Sequence, residues 1–94
     1  MKLLFEIENV FDIDGRGCVL VPGIPERFRS TVKTGSRILI VTPQGEHLRT
    51  SIADFEMVSR GRVRAHAPFA VHRTVRKSHL PVGSKVYLPE VTAG

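Results

Sequence analysis

The sequence predicts an all-β fold, a small antiparallel barrel or sandwich formed by a single domain over residues 1–94. Three observations carry this expectation. Apolar residues recur mostly with a period of two, the spacing of a strand with one buried face. No stretch of a dozen residues keeps helical apolar spacing without a Gly or Pro interrupting it. Eight glycines and six prolines punctuate the chain into short segments, with turns roughly every ten residues.

In chain order, Leu3, Phe5 and Ile7 alternate with Glu6 and Glu8, predicting a half-buried strand. Asp12-Ile13-Asp14-Gly15-Arg16-Gly17 reads as a turn, and the apolar run Cys18–Val21 as the next strand. Glu26 to Lys33 is the one stretch suited to a helical turn or an irregular excursion. Arg37-Ile38-Leu39-Ile40-Val41-Thr42 predicts a strand buried on both faces, ended by Pro43-Gln44-Gly45. His47 to Phe55 pairs back on it, with Leu48 and Ile52 at core positions. Arg60 to Ala67 alternates Val63, Ala65 and Ala67 against Arg62, Arg64 and His66, and Pro68 breaks or bends it. Ala70 to Val75 continues the sheet, and Val86-Tyr87-Leu88 closes it before Pro89. The total is six or seven strands. A barrel is the more economical arrangement, because closure removes exposed edges.

Composition narrows the functional classes. No apolar run reaches the roughly 18 residues of a membrane helix, and Glu6 and Glu8 come too early for a secretory signal. The single cysteine, Cys18, has no internal partner. These features point to a reducing, cytoplasmic setting. The net charge of +5 is unevenly spread. Met1 to Glu26 holds five acids and two bases, whereas Met57 to Pro89 holds seven bases and no acid. Such asymmetry favours polyanions, acidic proteins or anionic lipid surfaces as partners, or else simply a solvated basic face.

The segment Phe5–Ile24 resembles the start of the second domain of translational GTPases, the family best known from elongation factor Tu. That domain opens with a strand ending in Val-Phe or similar, then a Gly-Arg-Gly turn and an apolar strand. Val10-Phe11 and Gly15-Arg16-Gly17 stand at those places. Val32-Lys33-Thr34-Gly35-Ser36-Arg37-Ile38 resembles the family's apolar-Lys-x-Gly-Asp step, and Phe55-Glu56-Met57 its later apolar-x-Glu-Met strand. Leu80 to Leu88 is similar to its closing strand. The resemblance implies a small closed antiparallel β-barrel of six to seven strands. Departures are local: Val21-Pro22-Gly23 replaces a Thr-Gly-Arg, about three extra residues fall between Glu26 and Val32, and Ser36 stands where Asp is usual. There is no phosphate-binding loop and no Asn-Lys-x-Asp, so the resemblance carries no nucleotide binding or hydrolysis. The family's tRNA contacts require a neighbouring domain and transfer to no residue here.

The residues that could carry chemistry mostly have structural readings. Gly15-Arg16-Gly17 could cradle a phosphate, but Asp12 and Asp14 would repel it, and the turn reads as a hairpin device. Cys18 within an apolar strand reads as a small core residue. His47, His66, His72 and His79 lack the paired spacing of a zinc site. No enzymatic constellation, metal site or cofactor is expected. The functional candidates are basic. Arg60, Arg62 and Arg64 alternate along a strand and would project on one face about 6.5–7 Å apart, near the spacing of successive phosphates on an extended strand. Arg73, Arg76 and Lys77 could widen that patch. Stacking aromatics are scarce, with no Trp and one Tyr, so recognition would be electrostatic and weakly selective. The expectation is a non-enzymatic module that binds RNA, the ribosome or another ribonucleoprotein surface through these six residues. The alternative is a docking module, self-associating or bound to a separate protein, whose contact is the apolar stretch around Ile24 and Phe28.

Overall fold

The computed structural model describes residues 1–56 and 65–89 of the chain. Its strands are β1 (Lys2–Glu6), β2 (Asn9–Ile13), β3 (Gly17–Pro25), β4 (Arg37–Val41), β5 (His47–Phe55), β6 (His66–Val71) and β7 (Lys85–Leu88). Two single-turn 3-10 helices, Glu26–Phe28 and Lys77–His79, complete the described elements, and no α-helix occurs among them.

All strand pairs are antiparallel, in the order β1-β7-β4-β5-β6-β3-β2. β5 is the pivot. Its first half pairs with β4, from Val41↔His47 to Arg37↔Ser51. Its second half pairs with β6. A register shift between Ile52 and Asp54 turns the strand from one half-sheet to the other. The sheet curls around one apolar core. Phe69, fully buried, meets Phe5 of β1 edge-on at 5.8 Å and Phe55 of β5 at 6.3 Å. Ile7, Leu20, Ile24, Ile38, Ile40, Ile52, Leu80 and Val86 pack around it.

The all-β barrel-like architecture is as expected, but closure is not. Among the described strands, β1 and β2 are the two ends of the sheet, and they form no ladder with each other. Only Ile7 and Glu8 separate them, so the chain itself crosses the seam. Three backbone bonds fasten the crossing: Ile7 N–H to Ser84 O (2.8 Å), Gly83 N–H to Ile7 O (2.9 Å) and Glu8 N–H to Val21 O (2.9 Å). A strand that continues from one edge to the other cannot also pair with itself. The barrel is therefore curled and open.

Several local expectations are corrected by one device, the bulge. Strict alternation would bury Leu3, yet Leu3 is 46% exposed and Leu4 is buried. The β1–β7 register skips from Leu3↔Tyr87 to Phe5↔Val86, and Leu4 is the extra residue that resets the facing. β3 runs past Val21 to Pro25, and the sheet's β6 ends at Val71 rather than Val75. Pro68 does not break the sheet but sits inside β6. Its partner segment explains this. β3 pairs Leu20↔Phe69 and then Ile24↔Ala67, so the register shifts at Val21-Pro22-Gly23 opposite Pro68. No ladder bond is then required from either proline, neither of which has an N–H to give. The Val21–Pro22 peptide is cis. The sequence-predicted strand Arg60–Ala67 lies mostly outside the described residues.

Candidate nucleic-acid interface

The β2–β3 connection positions the first charged groups. Arg16 N–H bonds Ile13 O at 3.0 Å, closing the turn. Gly17 starts β3 hard against β6: a Cβ there would lie 2.5 Å from Val71 O. Only glycine allows this approach. The Arg16 guanidinium donates to Glu56 Oε1 at 2.5 Å, tying the turn to the residue that follows β5. Arg16 is thus held by a carboxylate, in keeping with a scaffold role.

The segment after β6 holds the second group. Thr74 N–H donates to His72 Nδ1 at 3.2 Å and Val75 N–H to His72 O at 2.9 Å, forming a tight turn. Val75 is buried and anchors the loop, its carbonyl accepting from the Cys18 thiol at 3.6 Å. Beyond it, Arg76 N–H bonds His79 Nδ1 at 3.1 Å and shapes the Lys77–His79 turn. Arg73, Arg76 and Lys77 are all exposed. None is in an ion pair among the described residues.

Those three bases share a cleft of about 440 Å³ with Asp12, Asp14 and Cys18. The acidic start and basic end of the chain, far apart in sequence, meet here because β2 and β3 deliver the acidic turn beside the loop that follows β6. The patch is therefore of mixed sign on this side. Cys18 registers the mixture. Its thiol is pushed up chiefly by burial and further by the Asp12 carboxylate, with Lys77 opposing. A buried thiol so placed is a poor nucleophile.

A second basic group was not foreseen. Gly35 N–H bonds Ile52 O at 2.8 Å, Ile52 pairs with Val71, and Val71 O abuts Gly17. The Lys33–Ser36 turn, the start of the basic loop and the start of β3 thus gather at one end of the barrel. Arg37 and Arg49 line a neighbouring cleft of about 810 Å³. The available signal was alternation, since His47, Arg49 and Ser51 occupy every second position of one strand. What sequence could not supply was the β4–β5 register that sets Arg49 near Arg37.

Of the other candidates, Arg60, Arg62 and Arg64 lie outside the described residues. Ile24 is fully buried and belongs to the core, so it presents no docking surface. The bulge before it turns its side chain inward. Phe28 is half-buried against the core, and the Arg27 guanidinium lies 4.9 Å from its ring centroid. No group of three His, Cys, Asp or Glu side chains among the described residues is placed to hold a metal ion. No helix among them is long and apolar enough to cross a membrane. Comparison of the chain with protein-family models, with curated proteins and with solved structures finds no match.

Proposed function

We propose that this chain is a non-enzymatic binding module, resembling the second barrel of the translational GTPases, that holds RNA or a ribonucleoprotein surface through a basic face. The observation that carries the reading is the loop 72–79. It presents Arg73, Arg76 and Lys77 to solvent without a salt-bridge partner among the described residues. Lys33 and Arg37, also exposed, come from the neighbouring turn at the same end of the barrel. Unpaired cations on a short, internally hydrogen-bonded loop suit phosphate contacts, which position a strand without reading its bases. Asp12 and Asp14 limit where a phosphate can lie and direct the strand toward the outer side of the loop. In sequence, Arg60, Arg62 and Arg64 extend the same acid-free stretch.

The test is fluorescence anisotropy with a labelled single-stranded oligouridylate at low ionic strength. Saturable binding is expected. Its absence at low salt would remove the reading.

A protein-docking role is favoured by one separate observation. Among the described strands β2 is a sheet end, and its Phe11 is 52% exposed on a strand whose outer edge has no ladder partner among the described residues. This reading replaces Ile24 and Phe28 with Phe11 as the contact. Capture of partners from lysate with and without nuclease separates the two: proteins retained after nuclease favour docking, and loss of all partners favours RNA.

A further inference from the structure

We propose that the cleft lined by Arg37 and Arg49 is a phosphate-binding site that takes a phosphodiester group of a bound RNA strand. The proposal deepens the RNA reading and rests on it for the source of the phosphate. The argument begins with the sheet. β7 pairs with β4 only over Leu39↔Tyr87, Ile40↔Val86 and Val41↔Lys85. Continuing that register would set Arg37 opposite Pro89, which has no N–H to donate. The two segments part there, and a cleft of about 810 Å³ opens between the start of β4, β5 and Leu88–Pro89. It is larger than the clefts of about 440 Å³ and 490 Å³ elsewhere on the molecule.

Among the described residues its lining carries charge of one sign. Arg37 lies opposite Ser51, and Arg49 opposite Leu39, so the two arginines are diagonal neighbours on adjacent strands. Diagonal positions are about 7–8 Å apart, within the joint reach of two guanidiniums on one anion. Both are exposed, and neither guanidinium has a hydrogen-bond or ion-pair partner among the described residues. Like charges held this close repel, and an anion between them relieves the repulsion. No carboxylate lines the cleft among the described residues, whereas Asp12 and Asp14 intrude on the cleft below the 72–79 loop. Thr31 and Ser51 also line the wall, and their side chains are of a type that can donate to an anion. The wall is also fixed in place: Lys33 N–H bonds Ser36 Oγ at 2.9 Å, Ser36 N–H bonds Lys33 O at 2.9 Å, and Ile52 N–H bonds Ser36 O at 3.0 Å.

The test is an amide NMR titration of the full chain, first with inorganic pyrophosphate and then with a short oligouridylate. Saturable shifts at Ser36, Arg37, Thr50 and Ser51 are expected with both probes, and should vanish in an Arg37→Gln/Arg49→Gln double variant. That variant should bind the oligouridylate about tenfold more weakly, with a salt slope smaller by about 1.4, two contacts at about 0.7 each. An Arg37→Lys/Arg49→Lys variant keeps the charge without the planar fork and should fall between. If these amides stay silent to both probes while RNA binds the 72–79 loop, the site proposal is overturned and the RNA reading stands. If pyrophosphate shifts them and the oligouridylate shifts no amide anywhere in the chain, the phosphate site stands and the RNA reading fails.

Discussion

Replacing Gly23 by alanine isolates the contact on which the β3–β6 half of the barrel depends. Two separate costs arise. Gly23 has φ +102°, a backbone region that L-residues avoid at about 1–2 kcal/mol. In addition, an alanine Cβ would fall 2.2 Å from Ala67 O, 2.3 Å from Ala67 C and 2.4 Å from Pro68 N. All three are backbone atoms and cannot swing aside. β3 and β6 must separate by about 1 Å, weakening the ladder bonds at Ile24↔Ala67 and Pro25↔His66. With each worth about 1 kcal/mol, the total loss is about 3–4 kcal/mol. A domain of this size has roughly 5–14 kcal/mol in all. Gly15 supplies the internal control, since its φ is +78° but nothing lies within 4 Å of the added methyl. Gly15→Ala therefore reports the conformational cost alone, about 1–2 kcal/mol. Urea unfolding followed by far-UV circular dichroism measures both. Equal losses for the two variants would refute the close approach of β3 and β6 at Gly23.

Three further outcomes follow from the packing and the charges. Ile24→Ala should cost about 2–5 kcal/mol in the same unfolding assay, as for a buried isoleucine; a change within about 0.5 kcal/mol would return Ile24 to the surface. The Arg16–Glu56 pair is half-exposed on its arginine side, so a double-mutant cycle with Arg16→Ala and Glu56→Ala should give a coupling of only about 0.2–1 kcal/mol. Cys18 should resist maleimide in the native protein near neutral pH and react freely when the protein is unfolded in denaturant, because burial and Asp12 both disfavour the thiolate. The raised thiol also sets a sign for stability: its contribution is complete below the unfolded thiol range near pH 8.5 and is lost as pH rises through the higher folded value.

How far the fold could be read in advance depended on how local its causes are. β4 and β5 were legible because Ile38–Ile40 form an uninterrupted apolar run and Pro43-Gln44-Gly45 mark the turn between the strands. The errors fall where a second strand decides. Leu3 and Leu4 exchange burial through a bulge against β7, which nothing within Lys2–Glu6 announces. Pro68 remains inside a strand because the register shifts at Val21-Pro22-Gly23 opposite it, a compensation more than 40 residues distant in sequence. Ile24 sits among prolines and charges and so resembles a surface residue, yet the same shift turns it inward.

The candidate interface divides in the same way. That Arg73, Arg76 and Lys77 would be exposed was legible from an acid-free, turn-rich stretch. That Asp12 and Asp14 would stand beside them was not, since it depends on β2 and β3 folding back toward the end of β6. Arg37 and Arg49 became neighbours only through the β4–β5 register, a property of the pair and not of either strand. Charge counts along a chain reveal excess; pairing decides which charges are left without a partner.

The most direct measurement is the salt dependence of oligouridylate affinity for the native chain and for an Arg73→Ala/Arg76→Ala/Lys77→Ala variant. The account predicts a linear fall of log affinity with log salt for the native protein. It also predicts a slope smaller by about 2 in the variant, three phosphate contacts at about 0.7 each, with unchanged thermal stability. Identical slopes for the two proteins, or no affinity for the native chain at low salt, would contradict it.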